Sequence, residues 1–442
     1  MAPPASARSI PTPSPQAGLR ALRAIAAERS LLSAMRVFHA ETGDVFRLNV
    51  PGFSPVVLVG PEACRWVLVE QASSLRWRIE KQPITHLLEH GLLVEDGELH
   101  DQIKEYLSPA LHRKAVDGYA LAMVSGTDQI MTGWGRSATL DLLVEVRRMA
   151  LIILMETLFS VDFSPEMDRL WKAILRLMKY ISPGLWLIWS GAPHPGYAAA
   201  RAQIDRYWEQ IIRLRRAEIE REPDLERTDM LSHLILCGAG DDLIRDQLMT
   251  MLTAGHDTTT GALAWVFEML GRHPAVMERL QGEVDRLLGG KLPDFANTDS
   301  RHMPYLNAVI SETLRLYPPA HLGARLADDD LSFRGYAIPK GTRVLYSIFL
   351  TQRHPDYFDD PHRFDPDRVL LRPDRFQPYY FVPFGGGRRT CIGRYFAEVM
   401  MRIVVARVFQ HFELRSLGRH THMHMGATIE PRPGVWMAAR RR

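Results

Sequence analysis

From Leu19 to about Ala40, alanines and leucines recur at helical spacing with arginines and glutamates between them, which predicts an amphipathic helix. Phe46–Val50 and Val56–Val59 are short apolar runs separated by Pro51-Gly52, the pattern of two strands joined as a hairpin. Helical periodicity then dominates as far as Leu316, most strongly over 142–160, 198–222, 241–272, 275–288 and 304–316. Beyond it, Leu331–Phe333 and Arg343–Tyr346 read as short strands set among prolines. Residues 353–388 follow no period and are rich in Pro, Asp, Phe and Arg. Structureless stretches of that length are uncommon unless they serve a function. A last helix spans about Gly393 to Phe409, and strand-like alternation closes the chain. No internal repeat or Gly/Ser linker divides the middle. Residues 19–442 are therefore expected to form one large, mainly α domain with small β-sheets. They follow a flexible segment, 1–18, rich in Pro, Ala and Ser.

Composition narrows the class. Among 442 residues, 54 Lys+Arg face 51 Asp+Glu, a formal charge of +3 that gives no argument for nucleic acid. Hydrophobic residues make up 46%, too many for disorder. Three cysteines (Cys64, Cys237, Cys391) do not make a disulfide scaffold in so long a chain, which suits a reducing compartment. No secretory signal is readable. The apolar runs Ala150–Met155 and Leu185–Trp189 fall well short of the roughly 20 residues that span a bilayer. A soluble, cytoplasmic protein without a transmembrane anchor is expected.

The sharpest chemistry lies in Phe384-Gly-Gly-Gly-Arg-Arg-Thr-Cys391-Ile-Gly393, just before a helix. Three glycines permit close approach of a flat partner. A helix N-terminus and Arg388, Arg389 and Arg394 would favour a thiolate at Cys391. The segment suits a thiolate metal ligand beneath a planar anion. A reactive structural cysteine or a phosphate loop remains open on these residues alone, although a P-loop would open its helix with Gly-Lys-Ser/Thr. A second constellation is Ala254-Gly255-His256-Asp257-Thr258 within the 241–272 helix. The Thr258 hydroxyl can bond the Ala254 carbonyl four residues back and bend the helix, and an acid beside an alcohol at a bend suggests a proton relay. A third is Glu312-Thr-Leu-Arg315, whose spacing puts both charges on one helix face.

The first segment matches F-x-x-G-x-R-x-C-x-G at all five fixed positions, and so resembles the heme signature of the cytochrome P450 family. The second resembles that family's [AG]-G-x-[DE]-T, and the third its E-x-x-R. The resemblance implies the helical prism fold of the P450s and a heme b (iron protoporphyrin IX) with Cys391 as axial iron ligand. It places Phe384, Gly385, Ile392 and Gly393 at the heme, with Ala254 and Gly255 on its other face, and pairs Arg389 and Arg325 with the propionates. Upstream, Asp96-x-x-x-His100-x-x-x-Lys104 is similar to a bacterial D-x-x-x-H-x-x-x-R pattern, with Lys104 in place of arginine, and adds both residues to the heme contacts. Asp257 and Thr258 become the proton-delivering pair. Glu312, Arg315 and Arg368 form a structural network, with Val369 where a Phe commonly stands.

The implied activity is insertion of one oxygen atom of O2 into a small hydrophobic molecule such as a fatty acid, terpenoid or steroid. The 51 residues after Cys391 are too few for a fused flavin reductase. Electrons are expected from a separate ferredoxin or flavodoxin with its NAD(P)H reductase. A peroxide-driven hydroxylase of the same fold, or a non-catalytic heme sensor or carrier, is the alternative. By family position Leu93, Ala254, Ala320, His321, Leu322, Ala427 and Thr428 line the substrate pocket, His321 being the one strongly polar side chain able to orient a substrate. The aromatic stretch Ile181–Trp189 falls where the family places its access helices. His420, His422 and His424 read as one face of an edge strand, and Arg440–Arg442 as a solvated tail.

Overall fold

The computed structural model describes residues 8–50, 52–80, 82–184 and 193–442. The fold is mainly helical with small sheets, and the periodic segments form helices close to their expected bounds: Leu142–Phe159, Tyr197–Arg221, Pro274–Leu287, Pro304–Leu316 and Arg394–His411. The 241–272 stretch is a composite. Asp241–Met251 and Asp257–Arg272 are α-helical, and the turn between them, Leu252–His256, is π-helical. A π turn of this kind widens the helix locally and is frequent at functional sites.

Four differences from the sequence reading have physical causes. The expected helix from Leu19 to Ala40 is two helices, Pro15–Glu28 and Leu32–Thr42, because Arg29 adopts a left-handed conformation and ends the first. Residues 8–18 are not a free segment: Arg8 bridges to Tyr336, and Ser14 caps the helix that begins at Pro15 by accepting from the Ala17 N–H. Residues 1–7 lie outside the described residues, as do 185–192 and with them most of the aromatic stretch. Arg440 and Arg441 end a paired strand, Trp436–Arg441, rather than a solvated tail, and Arg442 pairs with Asp285. The strand Leu322–Ala327 was not expected, since its small residues carry little β signal.

A five-stranded sheet runs in the order Val45–Arg47, Val56–Leu58, Arg343–Ser347, Leu322–Ala327, Leu75–Arg76. Val56–Leu58 runs parallel to Arg343–Ser347 and the other pairings are antiparallel. Strand Trp436–Arg441 lies between Ser137–Asp141 and Phe412–Ser416. His422–Met425 pairs with Ile429–Arg432 as a two-stranded ribbon. The Asp257–Arg272 helix packs on Leu142–Phe159 and on that ribbon, whose turn brings Thr428 to Asp257 at the start of the helix. Among the described residues, no helix is long and apolar enough to cross a membrane.

The irregular 353–388 stretch is held by one buried network. Arg315 and Glu312, both fully buried, form a bidentate pair at 2.7 and 2.8 Å. The remaining Arg315 donors reach the carbonyls of Gln352 (2.8 Å), Pro361 (2.8 Å) and Arg363 (3.1 Å). Arg368 approaches Glu312 at 3.5 Å and donates to the carbonyls of Asp359 and Asp360. The Gln352 amide donates to the carbonyls of Leu314 and Arg315 while its oxygen accepts from Val382 N–H, tying the helix to the approach of the cysteine loop.

Candidate active site

The cysteine loop owes its path to glycine. Gly385 and Gly387 have φ of +69° and +62°, a region that disfavours other residues, and a Cβ on Gly387 would lie 2.2 Å from the Leu68 carbonyl oxygen. Gly387→Ala is expected to cost about 1–3 kcal/mol in backbone strain alone, before the clash. An unchanged urea midpoint would contradict this reading. Cys391 N–H donates to the Phe384 carbonyl (2.9 Å), and the Arg394 N–H to the Cys391 carbonyl (3.3 Å).

Burial raises the Cys391 thiol pKa, and the Gly393 N–H and the charge of Arg394 oppose this without reversing it. The helix terminus alone therefore does not make the thiolate expected from sequence. The residue itself is exposed. A metal cation at the sulfur would supply the missing charge, since a coordinating thiol is deprotonated outright.

A second group of residues collects around Trp77. Arg325 is almost fully buried and lies 3.8 Å from the Trp77 ring centroid; Arg389 lies 5.5 Å from the same ring. Arg325 has no carboxylate partner within ion-pair distance among the described residues, and burial pushes its pKa down. Arg389 pairs with Asp96 and the Glu95 carbonyl. His100 is buried, and its pKa falls to about 4, first from burial and then from Arg389, Lys104 and Arg388. Lys104 donates to the Arg388 carbonyl at 3.0 Å, so its ammonium is already engaged. The structure thus brings His100, Lys104, Arg325 and Arg389 near one another. A buried guanidinium without an anion, an accessible sulfur beside a helix N-terminus and a glycine-rich loop fit a heme with its two carboxylates.

The helix opposite carries the acid and alcohol. Thr258 Oγ1 donates to the Ala254 carbonyl at 2.5 Å, the bond expected from sequence. Ala254, Gly255 and Thr258 are half-buried, whereas Thr253, His256, Asp257 and Thr259 are buried, so one face of the π turn stays open. Gly255 packs closely on Leu154: a Cβ there would lie 2.5 Å from Leu154 Cδ1, so any side chain would require that leucine to move. Asp257 Oδ2 accepts from Thr428 Oγ1 at 2.8 Å. Thr428, expected to line the pocket, is instead buried against this carboxylate. Burial, followed by the charge of Glu430, raises the Asp257 pKa to about 6.

Of the other expected pocket residues, Leu93, Leu322 and Ala427 are partly buried and pack on the core, and Ala320 is exposed. His321 is buried, its pKa lowered by burial to about 4, with Nδ1 3.3 Å from the Pro319 carbonyl oxygen. The Tyr346 ring closes over Gly323, where a Cβ would lie 2.0 Å from it, and sits 5.4 Å from Arg325. Phe384 and Ile392 are half-buried against the core, and the Arg394 guanidinium lies 5.6 Å from the Phe384 ring.

A family model described as Cytochrome P450 matches residues 11–434. The chain is a cytochrome P450. Cyclooctat-9-en-7-ol 5-monooxygenase of Streptomyces melanosporofaciens is 32% identical over 342 residues, which cover 74% of this chain and 73% of that protein. Pentalenene oxygenase of Streptomyces avermitilis is 29% identical over 384 residues, 84% of each. Among solved structures, the retinoic-acid-bound cyanobacterial CYP120A1 superposes with a TM-score of 0.84 at 24% identity, over 99% of this chain and 100% of that one, a likeness of fold. This P450 is accordingly a heme-iron monooxygenase that takes O2 and reducing equivalents from a redox partner. Sequence reasoning about it missed Trp77, Arg147, Gln352 and Glu430, whose partners are distant in the chain.

Proposed function

We propose that this P450 hydroxylates or epoxidises a terpenoid-like molecule, using heme b, O2 and electrons from a cytoplasmic ferredoxin or flavodoxin and its NAD(P)H reductase. The observation that carries the oxygen-inserting chemistry is the Asp257–Thr258 pair at the π turn: a buried carboxyl with a pKa near 6 beside a hydroxyl bonded to Ala254. When bound, the heme supplies dioxygen activation. Cys391 would hold its iron, and Arg325, Arg389 and His100 would hold its carboxylates. The chain has no Cys-x-x-Cys-His for thioether attachment, which supports a non-covalent heme b. A carboxyl whose proton affinity burial raises toward neutrality can hold a proton, pass it toward Thr258 and regain it. A peroxide-driven enzyme or a heme carrier needs no such pair.

The apolar side chains of Leu93, Ala320, Leu322 and Ala427 support a hydrophobic substrate, and both named relatives act on terpenoids. Exposed Arg388 and Arg394 beside the cysteine loop suit an acidic electron donor. The test is a spectral titration of purified heme-loaded protein with terpene hydrocarbons and alcohols, fatty acids and steroids, following the low-to-high-spin shift. A shift with fatty acids alone would remove the terpenoid assignment. With a surrogate reductase, Thr258→Ala is expected to lower product formed per NADPH by about tenfold, the remainder appearing as peroxide. Unchanged coupling would take Thr258 out of the relay.

A further inference from the structure

Asp257 does not stand alone. Arg147, on the Leu142–Phe159 helix, is buried between two carboxylates. It pairs closely with Glu430 on strand Ile429–Arg432, and its Nη2 lies 3.6 Å from Asp257 Oδ1. The second Glu430 oxygen accepts from Arg432 at 2.6 Å. Arg147, Glu430 and Asp257 are each at least nine-tenths buried, whereas Arg432 reaches the surface. The charges facing Asp257 are thus Arg147 from one neighbouring helix and Glu430 and Arg432 from the ribbon. On its own helix, His256 is fully buried with both ring nitrogens unpartnered, and burial keeps it neutral.

One guanidinium therefore serves two acids, and the contacts are unequal. A cation fully committed to Asp257 would hold it ionised and unable to carry a proton. We propose that Glu430 is a positioning residue for Asp257: it draws Arg147 toward itself and so leaves Asp257 able to take up and release a proton at neutral pH. Thr428 completes the arrangement by donating to the other Asp257 oxygen, which keeps the carboxyl fixed while its proton comes and goes. The Glu430 charge also disfavours the Asp257 anion directly. The two effects act in the same direction. No sequence motif joins the three residues, which lie on one helix, at the start of a second and on a ribbon strand.

This inference rests on Asp257 being the proton carrier, and the test separates the two. In heme-loaded protein with a surrogate reductase, the pH profile of product formation is compared for wild type, Asp257→Asn, Glu430→Gln and Glu430→Gln/Arg147→Gln. Glu430→Gln frees Arg147 to close on Asp257. Its carboxyl pKa falls, so the pH above which activity declines moves down by about one unit. Product formation at pH 7 is then expected to fall about tenfold. Removing Arg147 as well deletes the capturing cation, so the double variant should regain part of the lost activity, with its decline at a higher pH than in Glu430→Gln alone. The infrared band of a protonated carboxyl, assigned by its loss in Asp257→Asn, should titrate in the same order, and melting curves check that each variant is folded. If Glu430→Gln titrates and turns over as wild type, or if the double variant is as slow as the single, Glu430 does not position Asp257. If Asp257→Asn itself turns over normally, the proton-carrier reading falls and this inference with it.

Discussion

Purified Cys391→Ala protein, reduced and exposed to carbon monoxide, is expected to lack the strongly red-shifted Soret band that the wild type should show, and to have no monooxygenase turnover. The effect is predicted to be complete because no other described sulfur can replace this one. Cys64 is buried and hydrogen-bonded toward Thr351, and Cys237 sits at the surface beside His233. Nor is the loss one of folding. The loop is held by backbone bonds from Cys391 to Phe384 and from Arg394 to Cys391, which alanine keeps. The positive φ of Gly385 and Gly387 is likewise untouched. A melting temperature near that of apo wild type with no shifted band would confirm a purely chemical defect. A retained band would remove Cys391 as the iron ligand.

The second large effect is on stability. Glu312→Ala is expected to destabilise the fold by about 3–5 kcal/mol, because it leaves the Arg315 guanidinium buried and unpaired. Both side chains are fully buried, so solvent cannot compensate. Buried pairs can often be replaced by apolar residues at little cost, but this one differs. Arg315 also donates to three backbone carbonyls, of Gln352, Pro361 and Arg363. A Glu312→Leu/Arg315→Met double variant would orphan the buried Gln352 acceptor, at about 1–3 kcal/mol, and would untie the two more exposed carbonyls of Pro361 and Arg363. It is therefore expected to remain clearly destabilised. Denaturant midpoints for the single and double variants test this, and a double variant as stable as wild type would reduce the network to a simple ion pair.

Much of this was legible before the structure. Long periodic helices declare themselves, because tertiary packing and local pattern agree over many residues. The Thr258–Ala254 bond was legible too, as a contact four residues apart on one chain segment. What stayed hidden were contacts across large separations: Arg147 with Glu430, and Arg325 with Trp77. Arg147 reads as a polar interruption in an apolar helix, and nothing near Glu430 names its partner. Trp77 belongs to no spacing at all. The charge of Cys391 was only half legible: a helix terminus can be read from sequence, but the desolvation that opposes it in the metal-free thiol cannot. Arg29 likewise shows no breaker signal, although its left-handed conformation ends the first helix.

The contact between Gly323 and Tyr346 has an evolutionary consequence. Any side chain at 323 would collide with the tyrosine ring, and shrinking the ring alone would leave a buried void and strip Arg325 of an aromatic neighbour. Neither change is tolerable first. The two positions are locked as a pair, able to drift only by a near-simultaneous exchange of bulk across the two strands. Libraries that randomise 323 by itself should return glycine almost alone, whereas those that vary 323 and 346 jointly should recover compensated solutions.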